Sequence, residues 1–326
     1  MNENKAKTGV IIIGGGPAGL SAALWCRELG MKTTLLEKGS EFGGQLLRIY
    51  GPIKNYIGVE AENGLEMRDI FLRAAGKREF VRRLNANILD LDTANNSVIL
   101  HTGEIHYYKA LIIAAGVRRK KLGAEGEEKF QGKGIIDSGS DYREKAKGKK
   151  TVIVGGGDAA IENALILAEF ASKVSVVNRG ENFRARGEFL EKAKRHPRIE
   201  LYTNTIIKKF SGDPIRAASG SGQADGQTLA AVETEDLQTS KLKIMPAEIA
   251  LIRIGVQPNS EILSGKVELD PNGYVIVNTA CESSTAGVFA IGDIANPVSP
   301  TISTAAGTAA TAAKNALNWI SNSTYT

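Results

Sequence analysis

The first place in the chain where residue types and spacing imply chemistry is Gly14-x-Gly16-x-x-Gly19. Val10-Ile11-Ile12-Ile13 before it reads as an apolar strand, and Leu20 to Leu29, closed by Gly30, reads as a helix. In a strand-to-helix turn each glycine has a mechanical task. Gly14 permits the tight turn, Gly16 lets a pyrophosphate approach the backbone, and Gly19 lets the helix pack closely on the strand. The helix opens at Pro17 and Ala18, so its unpaired N–H groups and positive dipole end face the phosphates. A second strand, Thr33 to Leu36, delivers Glu37, whose carboxylate can accept both hydroxyls of an adenosine ribose, with Lys38 beside it.

The arrangement recurs. Thr151-Val152-Ile153-Val154 leads into Gly155-x-Gly157-x-x-Ala160, in which Asp158 and Ala159 open the next helix. From Gly14 to Glu37 is 23 residues, and the same step from Gly155 reaches Asn178. There the acid has become an amide, followed by Arg179 and Arg184. A carboxylate would repel a 2′-phosphate, whereas a neutral residue with arginines nearby can accept one, which favours NADPH over NADH. The alternative is that both arginines are surface residues on a turn. Two dinucleotide sites in one chain imply a relay between a tightly held flavin and a diffusing nicotinamide.

Apolar strand-like runs alternate with helical patterns and glycine turns along the chain, the signature of an α/β fold with parallel sheets. With 326 residues and 42% hydrophobic content there is enough chain for two domains. The two cysteines, Cys26 and Cys281, form no short-spaced pair, so neither a disulfide framework nor a metal site is expected, and a reducing cytoplasm fits best. The polar stretch Met1 to Gly9 runs straight into the first strand, so no signal peptide is expected. The uncharged run Val10 to Cys26 is short for a span and is broken by Gly14-Gly15-Gly16-Pro17, so no membrane helix is expected either. Basic residues are dense at Arg118 to Lys121, Lys145 to Lys150 and Lys192 to Arg198. Such runs are solvated faces or steer an acidic partner. No aromatic residues interleave with them and no nucleic-acid motif appears, so nucleic acid is not an expected partner.

Gly14 to Gly19, Gly43-Gly44-Gln45-Leu46, Asn55-Tyr56-Ile57-Gly58, Ala114-Ala115-Gly116, Gly155-Gly156-Gly157-Asp158, Phe183-Arg184-Ala185, Gly255-Val256-Gln257-Pro258-Asn259 and Gly292-Asp293 follow one another in the order and approximate spacing of the low-molecular-weight thioredoxin reductase family, which the chain resembles over nearly its whole length. The resemblance implies two Rossmann-like domains, the second inserted into the first. Residues 1–117 and 248–326 would bind FAD, and residues 118–247 would bind NADPH. It implies a homodimer whose domains alternate between two orientations. It also assigns flavin contacts to Gly44, Gln45, Leu46, Asn55, Ala115, Gly116, Gly292 and Asp293, the aspartate toward the ribityl chain, and to the start of the small-residue helix Thr304 to Ala316.

The departures bear on mechanism. The family's Cys-x-x-Cys positions are held by Ser138 and Asp141, which cannot cycle between thiol and disulfide. The family's His-Arg-Arg cluster for the 2′-phosphate reads Asn178-Arg179-Gly180, and its Arg-Gln-Ala run after the aspartate reads Pro300-Thr301-Ile302. The expected activity is hydride transfer from NAD(P)H to FAD with electrons passed directly to an external acceptor such as ferredoxin or flavodoxin. The thioredoxin-reductase-like ferredoxin–NADP reductases, which also lack the cysteine pair, provide the comparison. Their C-terminal extension is absent, and Tyr325 in the short tail is the aromatic available to cover the flavin. The alternatives are an NAD(P)H oxidase, a quinone or small-disulfide reductase, or a flavin-binding redox sensor without turnover.

Overall fold

A computed structural model describes residues 8–77, 79–212 and 228–322; Tyr325 lies outside them. The chain divides into two compact units, residues 1–118 with 257–326 and residues 119–256. The return to the first unit comes later than the expected 247/248. The strand Ile249–Ile252 runs parallel to Thr151–Val154 and so belongs to the sheet of the second unit.

In the first unit the strands Val81–Arg83, Thr33–Leu36, Thr8–Ile13, Ile105–Ile113 and Val288–Ala290 lie side by side and parallel. The strand Ile105–Ile113 serves two sheets, since its first residues also pair antiparallel with Ser97–Leu100, which pairs in turn with Ile88–Asp92. Thr8–Ile13 is apolar without alternation because both faces are covered: Val10 and Ile12 enter one core cluster, Ile11 and Ile13 another. Each such fully buried side chain contributes roughly 1.5–3 kcal/mol. The helix Pro17–Glu28 buries Ala22, Ala23 and Cys26, and the helix Ile302–Asn322 buries Ala305, Ala309, Ala312, Ala313 and Ala316 in the same cluster. Their three- and four-residue spacing forms one stripe, and the small side chains let the helices approach closely.

The second unit repeats the plan. Its parallel sheet is ordered Ile199–Tyr202, Lys173–Val177, Lys150–Val154, Ile249–Ile252, Ile135–Ile136, and the helix Asp158–Ala168 packs on it through Ala160, Ile161, Ala164 and Leu167. An antiparallel sheet of Thr205–Ser211, Ala231–Asp236 and Leu242–Pro246 covers the other face. In both units the glycine turn follows a central strand, where ligands bind in open parallel sheets. No helix among the described residues is long and apolar enough to cross a membrane.

Candidate functional site

The glycine turn of the first unit is held by contacts no larger residue allows. Gly14 has φ +104°, and a Cβ there would lie 2.3 Å from the Ala114 carbonyl oxygen; a Cβ on Gly19 would lie 1.7 Å from the Gly14 carbonyl oxygen. Gly16 differs: the nearest atom to its Cβ position is Gly44 Cα at 3.7 Å. Gly14 and Gly19 therefore serve the fold, while Gly16 leaves an open cradle. The helix Pro17–Glu28 starts with no side-chain cap, so its first N–H groups face that cradle unpaired.

A cavity of about 790 Å³, lined only by residues of the first unit, extends from this turn. Of the residues expected at a flavin site, Gly14, Gly16, Pro17, Ala18, Glu37, Lys38, Gly44, Gln45, Leu46, Ala115, Gly116, Asp293, Thr301 and Ile302 line it. Gly19, Gly292 and Asn55 do not. Gly19 is buried in the helix–strand contact, and a Cβ on Gly292 would lie 2.8 Å from Ala18 Cβ, so both act through packing. Asn55 is exposed and away from the cavity lining.

Glu37 is already engaged. Its Oε2 accepts from Gly15 N at 2.6 Å and its Oε1 from Gly39 N at 2.7 Å. These bonds fix the carboxylate across the turn and leave a second lone pair on each oxygen for a ribose. Asp293 is half-buried, no donor among the described residues bonds its carboxylate, and burial pushes its pKa up. Thr301 caps the helix Ile302–Asn322, its Oγ1 accepting from Thr304 N at 3.1 Å. Gln45 Nε2 donates to the Val117 carbonyl at 2.5 Å.

Sequence reasoning missed Arg118 and Asn87 on the cavity wall. Arg118 belongs to a basic run that the sequence reads as a solvated face or a steering patch, yet its Nη1 donates to Asn259 Oδ1 at 2.9 Å and its Nη2 pairs with Glu261. Asn259 was within reach of sequence reading, as part of the Gly255 to Asn259 motif. Asn87 has no motif to reveal it.

In the second unit Gly155 has φ +142°, and a Cβ there would lie 2.2 Å from the Arg253 carbonyl oxygen, while a Cβ on Gly157 would meet nothing within 4 Å. The helix Asp158–Ala168 also starts uncapped. Asp158 itself is tied to Arg186, accepting from its N at 2.7 Å and its Nε at 2.9 Å, and Ala159 is exposed beside it. Asn178 departs from its expected place as a ligand contact. It is buried, both amide hydrogens are spent on the carbonyls of Gly180 at 3.1 Å and Asn182 at 2.9 Å, and it fills the space where a Cβ on Gly156 would stand. It positions the turn. Arg179 and Arg184 are exposed, no ion pair among the described residues holds them, and Arg184 N bonds the Gly156 carbonyl at 2.7 Å, which brings its residue to the glycine turn.

Ser138 is buried, and Asp141 is exposed in the short helix Gly139–Tyr142 that follows it. Gly139 N donates to Asn163 Oδ1 at 2.9 Å, and a Cβ on Gly139 would lie 2.5 Å from that oxygen. Both cysteines are in the first unit and buried; burial pushes the Cys26 thiol up to about 12 and raises that of Cys281.

The profile of the pyridine nucleotide-disulphide oxidoreductase family matches residues 8–316. The chain is 32% identical over 323 residues to a thioredoxin reductase from Mycolicibacterium smegmatis, covering 98% of this chain and 99% of that one. It is 34% identical over 289 residues to a thioredoxin reductase from Peptoclostridium litorale, covering 87% and 88%. Among solved structures, the thioredoxin reductase of Lactococcus lactis superposes with a TM-score of 0.81 at 25% identity, over 97% of this chain and 100% of that one.

Proposed function

The chain belongs to the pyridine nucleotide-disulphide oxidoreductase family, and from that premise we propose that it is an FAD- and NAD(P)H-dependent oxidoreductase that hands electrons directly to an external acceptor. The observation that supports it is that the second unit contains no cysteine: the resemblance puts Ser138 and Asp141 at the family's cysteine positions, and Cys26 and Cys281 lie buried in the first unit.

The residues present fit both nucleotides. The cradle at Gly16, the uncapped helix start, the fixed Glu37 and the unpartnered Asp293 carboxylate suit the pyrophosphate, ribose and ribityl hydroxyls of FAD. Gly157 and the uncapped helix after it suit the pyrophosphate of NAD(P)H, and Arg179 and Arg184 suit a 2′-phosphate. Bound FAD would accept a hydride from the nicotinamide and release electrons onward. The protein's own part is positional. Asp293 accepts a hydroxyl proton donor and regains hydrogen bonding lost to burial, while the start of Ile302–Asn322 presents a positive dipole end to the same cavity. No side chain is required as nucleophile. The reading carries the homodimer expected from the resemblance.

An acidic electron-transfer protein such as ferredoxin or flavodoxin is one acceptor class. Its support is densest at one run, although Lys120 and Arg195 in the other two also have no ion pair among the described residues. Lys121 pairs with Glu128, Lys192 with Glu188, Lys194 with Glu191, and Arg198 bonds the carbonyls of Ala168 and Glu169. By contrast, Lys145 stacks on Tyr142, no carboxylate among the described residues pairs with Lys147 or Lys149, and at Lys150 it is the backbone N, not the ammonium, that meets Glu248. A small-molecule acceptor is the second reading, favoured by the arginine site described next. Anaerobic mixing of the purified protein with NADPH or NADH tests the whole reading: bleaching of the flavin absorbance by either supports it, and no bleaching by both overturns it. A ferredoxin rate that falls with salt supports the protein acceptor; one indifferent to salt removes it.

A further inference from the structure

Beyond the dinucleotide turn, the second unit gathers two arginines against the turn that carries Ser138. Arg253 Nη2 donates to the Asp137 carbonyl at 2.8 Å, and Arg119 Nη1 donates to that same oxygen. The Asp137 carboxylate lies 3.8 Å from Arg119 Nη1 and also accepts from Gln131 Nε2 at 3.4 Å. Arg253 Nη1 is fully buried with no acceptor among the described residues. A buried cationic donor without an acceptor is costly, and a second cation nearby raises that cost. Burial first, then the charge of Arg119, lowers the Arg253 pKa to about 10.

The place matters as much as the charge. In the parallel sheet, Lys173–Val177 lies on one side of Lys150–Val154 and Ile249–Ile252 on the other. Asn178, Arg179 and Arg184 follow the first neighbour, the adenosine side. Arg253 follows the second neighbour, so it stands at the opposite end of a dinucleotide laid over Gly155 to Gly157, beside the turn where the resembled family keeps its thiols.

We propose that Arg253, with Arg119, forms a subsite for the carboxylate of a small molecule, and that the small-molecule acceptor of the proposed reaction is such an acid. A carboxylate supplies two coplanar acceptor oxygens, the complement of a guanidinium edge and of the Nη1 donor left over in the structure. In balance, NAD(P)H, one solvent proton and the oxidised acid give NAD(P)⁺ and the acid reduced by two hydrogens. The acceptor role rests on the direct-transfer reading, whereas carboxylate binding itself does not require turnover.

Calorimetric titration of the purified protein with sodium oxalate, acetamide and inorganic phosphate, on wild type, Arg253→Met, Arg253→Lys and Arg119→Met, tests this independently of flavin bleaching. Oxalate should bind wild type, acetamide should not, and Arg253→Met should weaken oxalate at least tenfold, with part of the affinity kept in Arg253→Lys. Without anion, the Arg253→Met thermal midpoint should be unchanged or higher, because removal of the orphaned Nη1 donor offsets loss of the bond to the Asp137 carbonyl. No oxalate binding, equal binding in wild type and Arg253→Met, or preference for phosphate over oxalate overturns the proposal. So does a lower midpoint for Arg253→Met, which would make Arg253 a clamp on the Asp137 turn.

Discussion

Replacing Asp293 with asparagine separates the cost of an empty cavity from the gain of a filled one. The carboxylate is half-buried, burial alone pushes its pKa upward, and among the described residues it accepts no hydrogen bond. The sign follows from proton counting. A native carboxyl with a raised pKa binds more protons than the unfolded chain, so stability falls as pH rises from the ordinary value of 3.8 through the native value. Asp293→Asn removes that loss, so the cofactor-free variant should melt higher than wild type at pH 7, and the gap should close as pH falls toward 4. With FAD the order reverses. A charge-assisted hydrogen bond contributes roughly 1.5–3 kcal/mol and the neutral one an asparagine oxygen keeps roughly 0.5–1.5, so the variant should bind FAD about 5- to 12-fold more weakly. Titration of stripped protein by quenching of flavin fluorescence reads the affinity, and differential scanning fluorimetry from pH 4 to 8 reads the stability. A cofactor-free variant less stable than wild type at neutral pH, or one with undiminished FAD affinity, would refute the reasoning.

Two glycines of one turn should part company. Gly19→Ala places a Cβ 1.7 Å from the Gly14 carbonyl and should destabilise the protein by about 1–3 kcal/mol or more in urea unfolding. Gly16→Ala, with 3.7 Å to its nearest neighbour, should leave urea stability within about 0.5 kcal/mol while reducing FAD occupancy of the purified protein. Arg184→Ala should raise the KM for NADPH roughly tenfold, by loss of a charge-assisted contact, with the KM for NADH unchanged. Ser138→Cys with Asp141→Cys should leave FAD content at the wild-type level, since both positions belong to the second unit. Neither native cysteine should react with Ellman's reagent at pH 8 until the protein is unfolded, because both are buried with raised thiol pKa values.

The glycine turns were legible because the fold itself demands Gly14, Gly155 and Gly19, where only a missing Cβ fits, and so fixes the spacing in which the open Gly16 and Gly157 stand. Strand positions were legible for a related reason: Val10 to Ile13 is buried on both faces, so nothing interrupts its apolar run. What the linear pattern could not reveal depends on partners distant in sequence. Arg118 looked like part of a charged face until Asn259 and Glu261 came alongside it. Asn178 aligned with the ribose-reading position, but its amide is consumed by Gly180 and Asn182 a few residues on, a local competition that spacing alone does not disclose. The late return to the first unit has the same origin, since only strand pairing shows that Ile249–Ile252 completes the second sheet.

The inward-turned amide of Asn178 divides the labour within its loop. The residue that shapes the bend spends its amide hydrogens within the loop, and the two arginines proposed to meet a 2′-phosphate extend into solvent. Under the proposed nucleotide reading, coenzyme preference would be a detachable trait: exchanging side chains at positions 179 and 184 would alter it without disturbing the scaffold beneath them.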